Sequence, residues 1–388
     1  MTDAAQWGIA NQMSKWRTSI VLVVAGFTVA ACSAAAPVPA PPPAPSVGTA
    51  IVPTKAKAQL FVAPSGSDDN AGTQAQPLQS IEGAAKMAKP GTEVVVQDGT
   101  YNGAITTDAN GTADARITFR AANRGGAKIV GNGDADAAWE NDGDYVDIDG
   151  FDITGSNTDG LLSGGSFVRL VNNNVHDFHD GNCITTANDN YDLHDIDVMG
   201  NIAARCGASE LDHGIYVSHP NGVVANNISF GNAGFGIQCW HACNSLAISN
   251  NLVFGNAAGG IVIGQGDGPN NGEVNADNFV VSNNIALDNG RDGIRESGAT
   301  GPNNQFINNI LWNNGTKRIN LKSGSQSGTK MVDPGFVNFQ LNGSGDYHLK
   351  ADSPAIGAGV QLGAPAVDFD GNPRPQEGGV DIGPFQQQ

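Results

Sequence analysis

The chain is 388 residues long, with 20 Lys and Arg against 38 Asp and Glu, a formal net charge of −18, and 52 glycines. That is enough chain for one large domain or two ordinary ones. The acidic excess argues against nucleic acid, which needs a basic face, and is awkward for a polyanionic substrate.

Residues 1–31 read as a targeting segment. Lys15 and Arg17 precede an apolar run from Ile20 to Ala31, which is short for a membrane span and ends at Cys32. Met13 makes a more conventional start than Met1. The ending "VAAC" resembles a bacterial lipobox, which implies a lipoprotein signal peptide over 1–31 and a lipid anchor at Cys32. The expected location is outside the cytoplasm, on a membrane in the periplasm or at the cell surface, or secreted, with that anchor as the sole membrane contact. Residues 32–59 are rich in Pro and Ala, cannot bury a core, and read as an extended tether. The folded part is then one domain over 60–388, expected to be a monomer. Four further cysteines, Cys183, Cys206, Cys239 and Cys243, allow three disulfide pairings. Cys239 and Cys243 are near enough in sequence to close a small loop, while Cys183 and Cys239 also suit small core positions.

"LQSIEGAAKMAKPG" predicts a short amphipathic helix beginning after Ser80, followed by a strand in "TEVVV". A helix there would cover the open end of a repeat array, as terminal repeats require. From residue 174 the chain repeats itself. The second Asn of an Asn-Asn pair, or its equivalent, recurs at Asn174, Asn201, Asn227, Asn251, Asn284 and Asn309, and a Gly-Ile pair recurs at Gly214, Gly236, Gly260 and Gly293. Both series contain one long step, explained by the insertion "GDGPNNGEVNAD" at 266–277. Runs such as "LAIS", "LVF" and "GIVI" are too short for helices and are punctuated by Gly and Asn. About three short strands per repeat make one coil of a parallel β-helix, stacked on the next at about 4.8 Å. The fold class is therefore all-β, a right-handed parallel β-helix with an N-terminal capping helix. Asn tolerates the left-handed turn, and stacked amides can hydrogen-bond along the column. Gly260 is expected to occupy a turn that a β-branched residue would strain. The C-terminal "DSPAIGAG" and "DFDGNPRPQEGGVDIGPF" are expected to close the far end.

Aligning the coils on Gly-Ile puts Tyr216, Gln238, Val262 and Arg295 in one outward column, followed by His219, His241 and Gln265 at the strand ends. The copy "LDHGIYVSHP" alone carries a His before Gly-Ile and a Tyr after it. The repeat demands neither residue, so His213 and Tyr216 are candidate proton-transfer groups, with His219, His241 and Arg205 beside them. Trp240, Gln238, Asp180, Asp212, Arg169 and His179 are candidate substrate contacts. The blander reading of His213 is a turn residue bonded to backbone. Six of the seven histidines fall between 176 and 241, and their convergence with aromatics favours a site. No Cys–His spacing suggests structural zinc. The acidic runs "DYVDIDGFD" and "GDGPNNGEVNAD" are the candidates for calcium, though neither completes an EF-hand loop. No metal ligand can be named from sequence.

"FVAPSGSDDNAGTQAQPLQSIEGAAKMAKPGTEVVVQDGTY" resembles the N-terminal cap of bacterial β-helix proteins related to chondroitinase-B-like and alginate-lyase-like polysaccharide lyases. "DHGIYVSHPNGVVANNISFGNAGFGI" resembles a stretch of the mannuronan C5-epimerase β-helix that carries Arg-His-Gly-Phe on the catalytic face. The epimerase Tyr-Gly-Phe-Asp-Pro-His stretch is missing here, where the chain reads "DGLLSGGS". The β-helix lyases mostly use a Lys or Arg base with calcium on the substrate carboxylate, yet no lysine lies between Lys128 and Lys317. The resemblance implies a polysaccharide lyase acting on uronic-acid-containing glycan by β-elimination, with calcium as the implied cofactor. His213 and Tyr216 would serve as base and acid, and Arg169, Arg205 or calcium would hold the carboxylate. The alternatives are a glycoside hydrolase using Asp180 and Asp212, a uronan epimerase, and a non-catalytic glycan-binding surface protein.

Overall fold

A computed structural model describes residues 56–388 apart from 189–190, 267–274 and 317. The expected export signal, Cys32, nearly all of the expected tether, and most of the inserted acidic run lie outside the described residues. The chain winds as a parallel β-solenoid. One sheet has eleven strands, from Ala58–Val62 to Ser325–Ser327, and two sheets have nine each. The strands of each sheet come from successive coils and pair in parallel. In one nine-stranded sheet, Ile184, Ile215, Ile237, Ile261, Ile294 and Ile319 stand in register. That inward column, with Val224, Ile248 and Val281 from the eleven-stranded sheet, forms the continuous core. The helix Ile81–Met87 begins at Ser80, whose hydroxyl accepts the Gly83 N–H, and buries Ile81, Ala84 and Ala85. It touches Ala58–Val62 and Ile105–Thr107, which stand first in their sheets.

The Asn-Asn pairs divide their work. The first Asn takes the left-handed conformation, at Asn172, Asn226, Asn250, Asn283 and Asn308. The second forms a buried amide ladder. Asn227 donates its N–H and its Nδ2 to Asn251 Oδ1 (2.9 and 3.0 Å), and a second Nδ2 hydrogen reaches Val198 O. The ladder begins at Asn173, not at Asn174, whose side chain turns outward to Asp152. A second ladder runs Asn232, Asn256, Asn289, Asn314, using the last Asn of each repeat. Each bond adds about 1 kcal/mol net, and each amide also answers backbone groups that the bend would leave unpaired.

Three expectations need correction. Gly260 has no positive φ; its constraint is crowding, since a Cβ there would stand 2.3 Å from Gly293 O on the next coil. The disulfide joins Cys183 to Cys206 with Cα atoms 5.5 Å apart, while Cys239 and Cys243 are buried thiols. The C-terminal segment does not simply close the far end. It runs back along the solenoid wall, where Asn226, Asn250 and Asn283 donate to Val367, Asp381 and Val360 carbonyls. Its Tyr347, Leu349, Ile382 and Phe385 cover Phe230, Leu252, Phe254 and Ile285 of the third sheet, the other nine-stranded one, whose strands run from Gly99–Asn102 to Ile310–Trp312.

Candidate functional site

The nine-stranded sheet that carries the inward Ile column also carries, alternating with it, the outward column Thr185, Tyr216, Gln238, Val262, Arg295, Asn320. Alternation puts Ile215 and Val217 inside and leaves Tyr216 half-exposed between them. Gln238 is half-exposed beside it. The turn after Gln238 brings Trp240 and His241 to the edge of the face. Trp240 lies flat over the next coil, where a Cβ at Gly264 or Gly266 would meet its ring at 2.6 or 2.3 Å, so glycine makes room for the indole. The His241 ring stacks on Tyr191 at 4.3 Å, with Tyr191 Oη 3.3 Å from its Nε2, and meets the Tyr216 ring edge-on at 6.3 Å.

His213 stacks on Tyr216 at 5.7 Å but is only 2 % exposed, and its Nδ1 accepts the Phe235 N–H at 3.0 Å. Burial pushes its pKa down to about 3 against the pull of Asp212. It is a neutral imidazole whose basic nitrogen is already occupied, so it positions Tyr216 and does not take a proton. The bland reading of this residue holds for its hydrogen bond. His219 is fully buried, held to Pro220 O through Nδ1, with its pKa pushed by burial to about 4. It does not line the groove as expected.

The other expected contacts scatter. Asp212 builds its own turn by accepting the Ala208 and Ser209 N–H groups through Oδ2. His179 and Asp180 pair with each other, exposed, in the turn one coil earlier. Arg205 follows a strand of the third sheet and grips Asp177 through two nitrogens (2.6 and 2.7 Å), which pulls Asp177 to about 2. Arg169 lies on the eleven-stranded sheet, between Asp147 and Asp197. Neither arginine reaches the Tyr216 face. The "DYVDIDGFD" carboxylates also divide, with Asp147 and Asp149 on the eleven-stranded sheet and Asp152 on the third. Among the described residues, no group of three or more His, Cys, Asp or Glu is set to hold a metal ion.

Sequence reasoning missed two features, Tyr191 and Asp159, and left a third, Arg295, without a role. Tyr191 comes from a long turn with no repeat partner, so nothing aligned it with His241. Arg295 was visible in the column, and its half-buried guanidinium lies 3.6 Å from Asp292. Asp159 sits beside Thr185, accepting its hydroxyl (2.7 Å) and the Asn182 N–H (2.7 Å), and burial raises its pKa. A cleft of about 570 Å³ lies elsewhere, on the eleven-stranded sheet among Gln59, Glu93, Arg116, Arg120, Asp147 and Asp149.

Comparison with known proteins agrees with this architecture. The crystal structure of pectate lyase Pel9A superposes with a TM-score of 0.61 at 17% identity, covering 89% of this chain and 99% of that one. A rhamnogalacturonan lyase superposes at 0.51 and 13% identity, over 73% of this chain and 91% of that one. In sequence, an uncharacterized Bacillus subtilis protein, YwoF, is 35% identical over 102 residues, 24% of this chain and 22% of its own length. Pectate lyase PEL9 of Emericella nidulans is 40% identical over 77 residues, 19% of each. The matches thus span about a fifth of those relatives. The model of the Pel9A-like right-handed β-helix region matches residues 60–328, well over half of the chain, and with the coils described above this fixes the hand of the solenoid: the chain belongs to the Pel9A-like β-helix family.

Proposed function

We propose that the protein is an exported, monomeric enzyme acting on polysaccharide at the face around Tyr216, as a lyase that cleaves uronic-acid-containing glycan by β-elimination. The observation that carries this reading is the convergence of half-exposed Tyr216, Gln238, Trp240 and His241 on one open face of a Pel9A-like β-helix. The names of the similar pectate and rhamnogalacturonan lyases support the same reaction class. In that reaction a base removes the C5 proton, the electron pair forms the C4–C5 double bond, the C4–O bond breaks, and an acid protonates the leaving oxygen. His241, oriented by Tyr191, suits the base, since imidazole transfers protons near neutral pH. Tyr216, backed by His213, suits the acid. Gln238 offers the nearest amide donor to the uronate carboxylate. Trp240 offers a sugar-stacking face, and Arg295, three coils (about 14 Å) along the column, offers a charge partner for a neighbouring uronate. No step is routed through calcium.

The test is a panel of acidic and neutral polysaccharides assayed for ultraviolet-absorbing unsaturated products. Tyr216→Phe and His241→Ala should each lower turnover about 10²–10⁴-fold with circular dichroism unchanged. Near-wild-type turnover in both variants would overturn the assignment. A second reading, glycoside hydrolysis, is favoured by one observation: the raised carboxyl of Asp159 beside Thr185, with Asp212 as its charged neighbour, has the character of a general acid. New reducing ends without ultraviolet absorbance would select it.

A further inference from the structure

The corner that leads into the eleven-stranded sheet holds a left-handed residue in six successive coils: Tyr145, Phe167, Asp195, Asn221, Ser245 and Asn278. Hydrogen bonds between coils align them, with Tyr145 N–H donating to Ser166 O, Phe167 N–H to His194 O, and Asp195 N–H to Pro220 O. Asp and Asn suit this conformation, whereas a bulky aromatic in it is strained. Two adjacent coils nonetheless carry Tyr and Phe. Their rings stack at 4.4 Å and 7°, and His194 meets Phe167 edge-on at 4.8 Å. All three side chains are half-exposed. Two residues after Phe167, Arg169 stands between Asp147 and Asp197 at 3.9 and 4.0 Å, forms no hydrogen bond with either, and keeps 31% of its side chain exposed. The Tyr216 coil lies two coils further on, about 10 Å along the axis.

We infer that Tyr145, Phe167 and His194, together with Arg169, form a second glycan-binding site outside the cleavage face, which holds an acidic polysaccharide by apolar contact with the exposed ring edges and a guanidinium–carboxylate contact. Tyr145 and Phe167 spend one face on each other and Arg116 lies 6.0 Å over the Tyr145 ring, so what they offer the apolar C–H groups of a pyranose is their exposed edges. Here the rings are already ordered by stacking, so little side-chain entropy is lost on binding. The planar fork of Arg169, with donors unspent, suits a uronate carboxylate. The strained aromatics gain nothing from the repeat, which elsewhere fills this column with small polar residues. That the glycan is acidic rests on the reading of the cleavage face; the stacking platform does not.

The repeat itself supplies the conservative variant, because Asn occupies the same column at 221 and 278. The full-length chain, with Tyr145→Asn or Phe167→Asn, is run through gels containing polygalacturonate, with a neutral glucan as control. The wild type should be retarded by polygalacturonate. Each Asn substitution should weaken binding about three- to tenfold, with thermal stability and turnover of short oligosaccharides retained. Arg169→Gln should weaken retardation by polygalacturonate and leave any retardation by the glucan unchanged. Absent retardation of the wild type, or retardation of both Asn variants equal to that of the wild type, overturns the site. A wild type that is retarded without cleaving, and is released by the Asn substitutions, supports the platform while sinking the lyase reading.

Discussion

The two nine-stranded sheets are built from the same coils and meet opposite fates. On one, the outward positions are Ile228, Phe230, Leu252, Phe254, Ile285 and Leu287, and the returning C-terminal segment covers them. On the other, the corresponding outward column is Thr185, Tyr216, Gln238, Val262, Arg295 and Asn320, and among the described residues no such segment lies over it. The geometry of the coil is neutral between them. What differs is whether burial or solvent meets the outward side chains, and that difference separates a structural wall from a candidate working face.

The comparison can be broken most forcefully at Phe254, which is fully buried between Phe230, Phe339 and Tyr347. Phe254→Ala should cost about 3–5 kcal/mol in chemical denaturation, yet leave turnover per folded molecule unchanged; lost turnover at full stability would mean that the covered wall is part of the site. A smaller effect is expected at Gly260, where the next coil's carbonyl leaves no room for a side chain. Gly260→Val should cost about 1–3 kcal/mol by overpacking, read as a lower midpoint of thermal unfolding, and an unshifted midpoint would contradict the coil spacing. The smallest effect is a pH dependence of the two histidines buried beneath the Tyr216 face. His213 and His219 are neutral in the fold with pKa values depressed to about 3 and about 4, whereas the unfolded chain protonates near the ordinary 6.5. Their contribution is therefore complete above pH 6.5 and is lost as pH falls from 6.5 toward 3. His213→Asn offers an acceptor to the Phe235 N–H without titrating. Its midpoint should fall less than that of the wild type between pH 6.5 and 5, and parallel curves would refute the buried neutral imidazole.

Much of the fold was legible because its causes are local and periodic. The Gly-Ile and Asn-Asn spacing yields three-sided coils, since the left-handed bend and the inward Ile column recur with the repeat. The one-residue error at Asn174 arose in "VNNNV", where three Asn in a row hide which one enters the ladder; only pairing with Asn201 decides it. The covered wall also left a trace. "LVF", "IAL" and "ILW" are apolar at every position, and "ISF" at all but Ser229, as strands buried on both faces are, whereas "IYV" and "IQC" alternate.

The sequence by itself determined the solenoid, its coil register, and the column in which Tyr216, Gln238 and Arg295 stand together. Only the tertiary structure decided the rest. It buried His213 and His219, joined Cys183 to Cys206, brought Tyr191 against His241, and sent Arg169 and Arg205 to other faces. The physical reason is the coil itself. Residues a few positions apart turn onto different sides of a three-sided solenoid, while residues a full coil apart, or delivered by a long turn or the returning C-terminal segment, become neighbours, and burial then depends on contacts that no local spacing encodes.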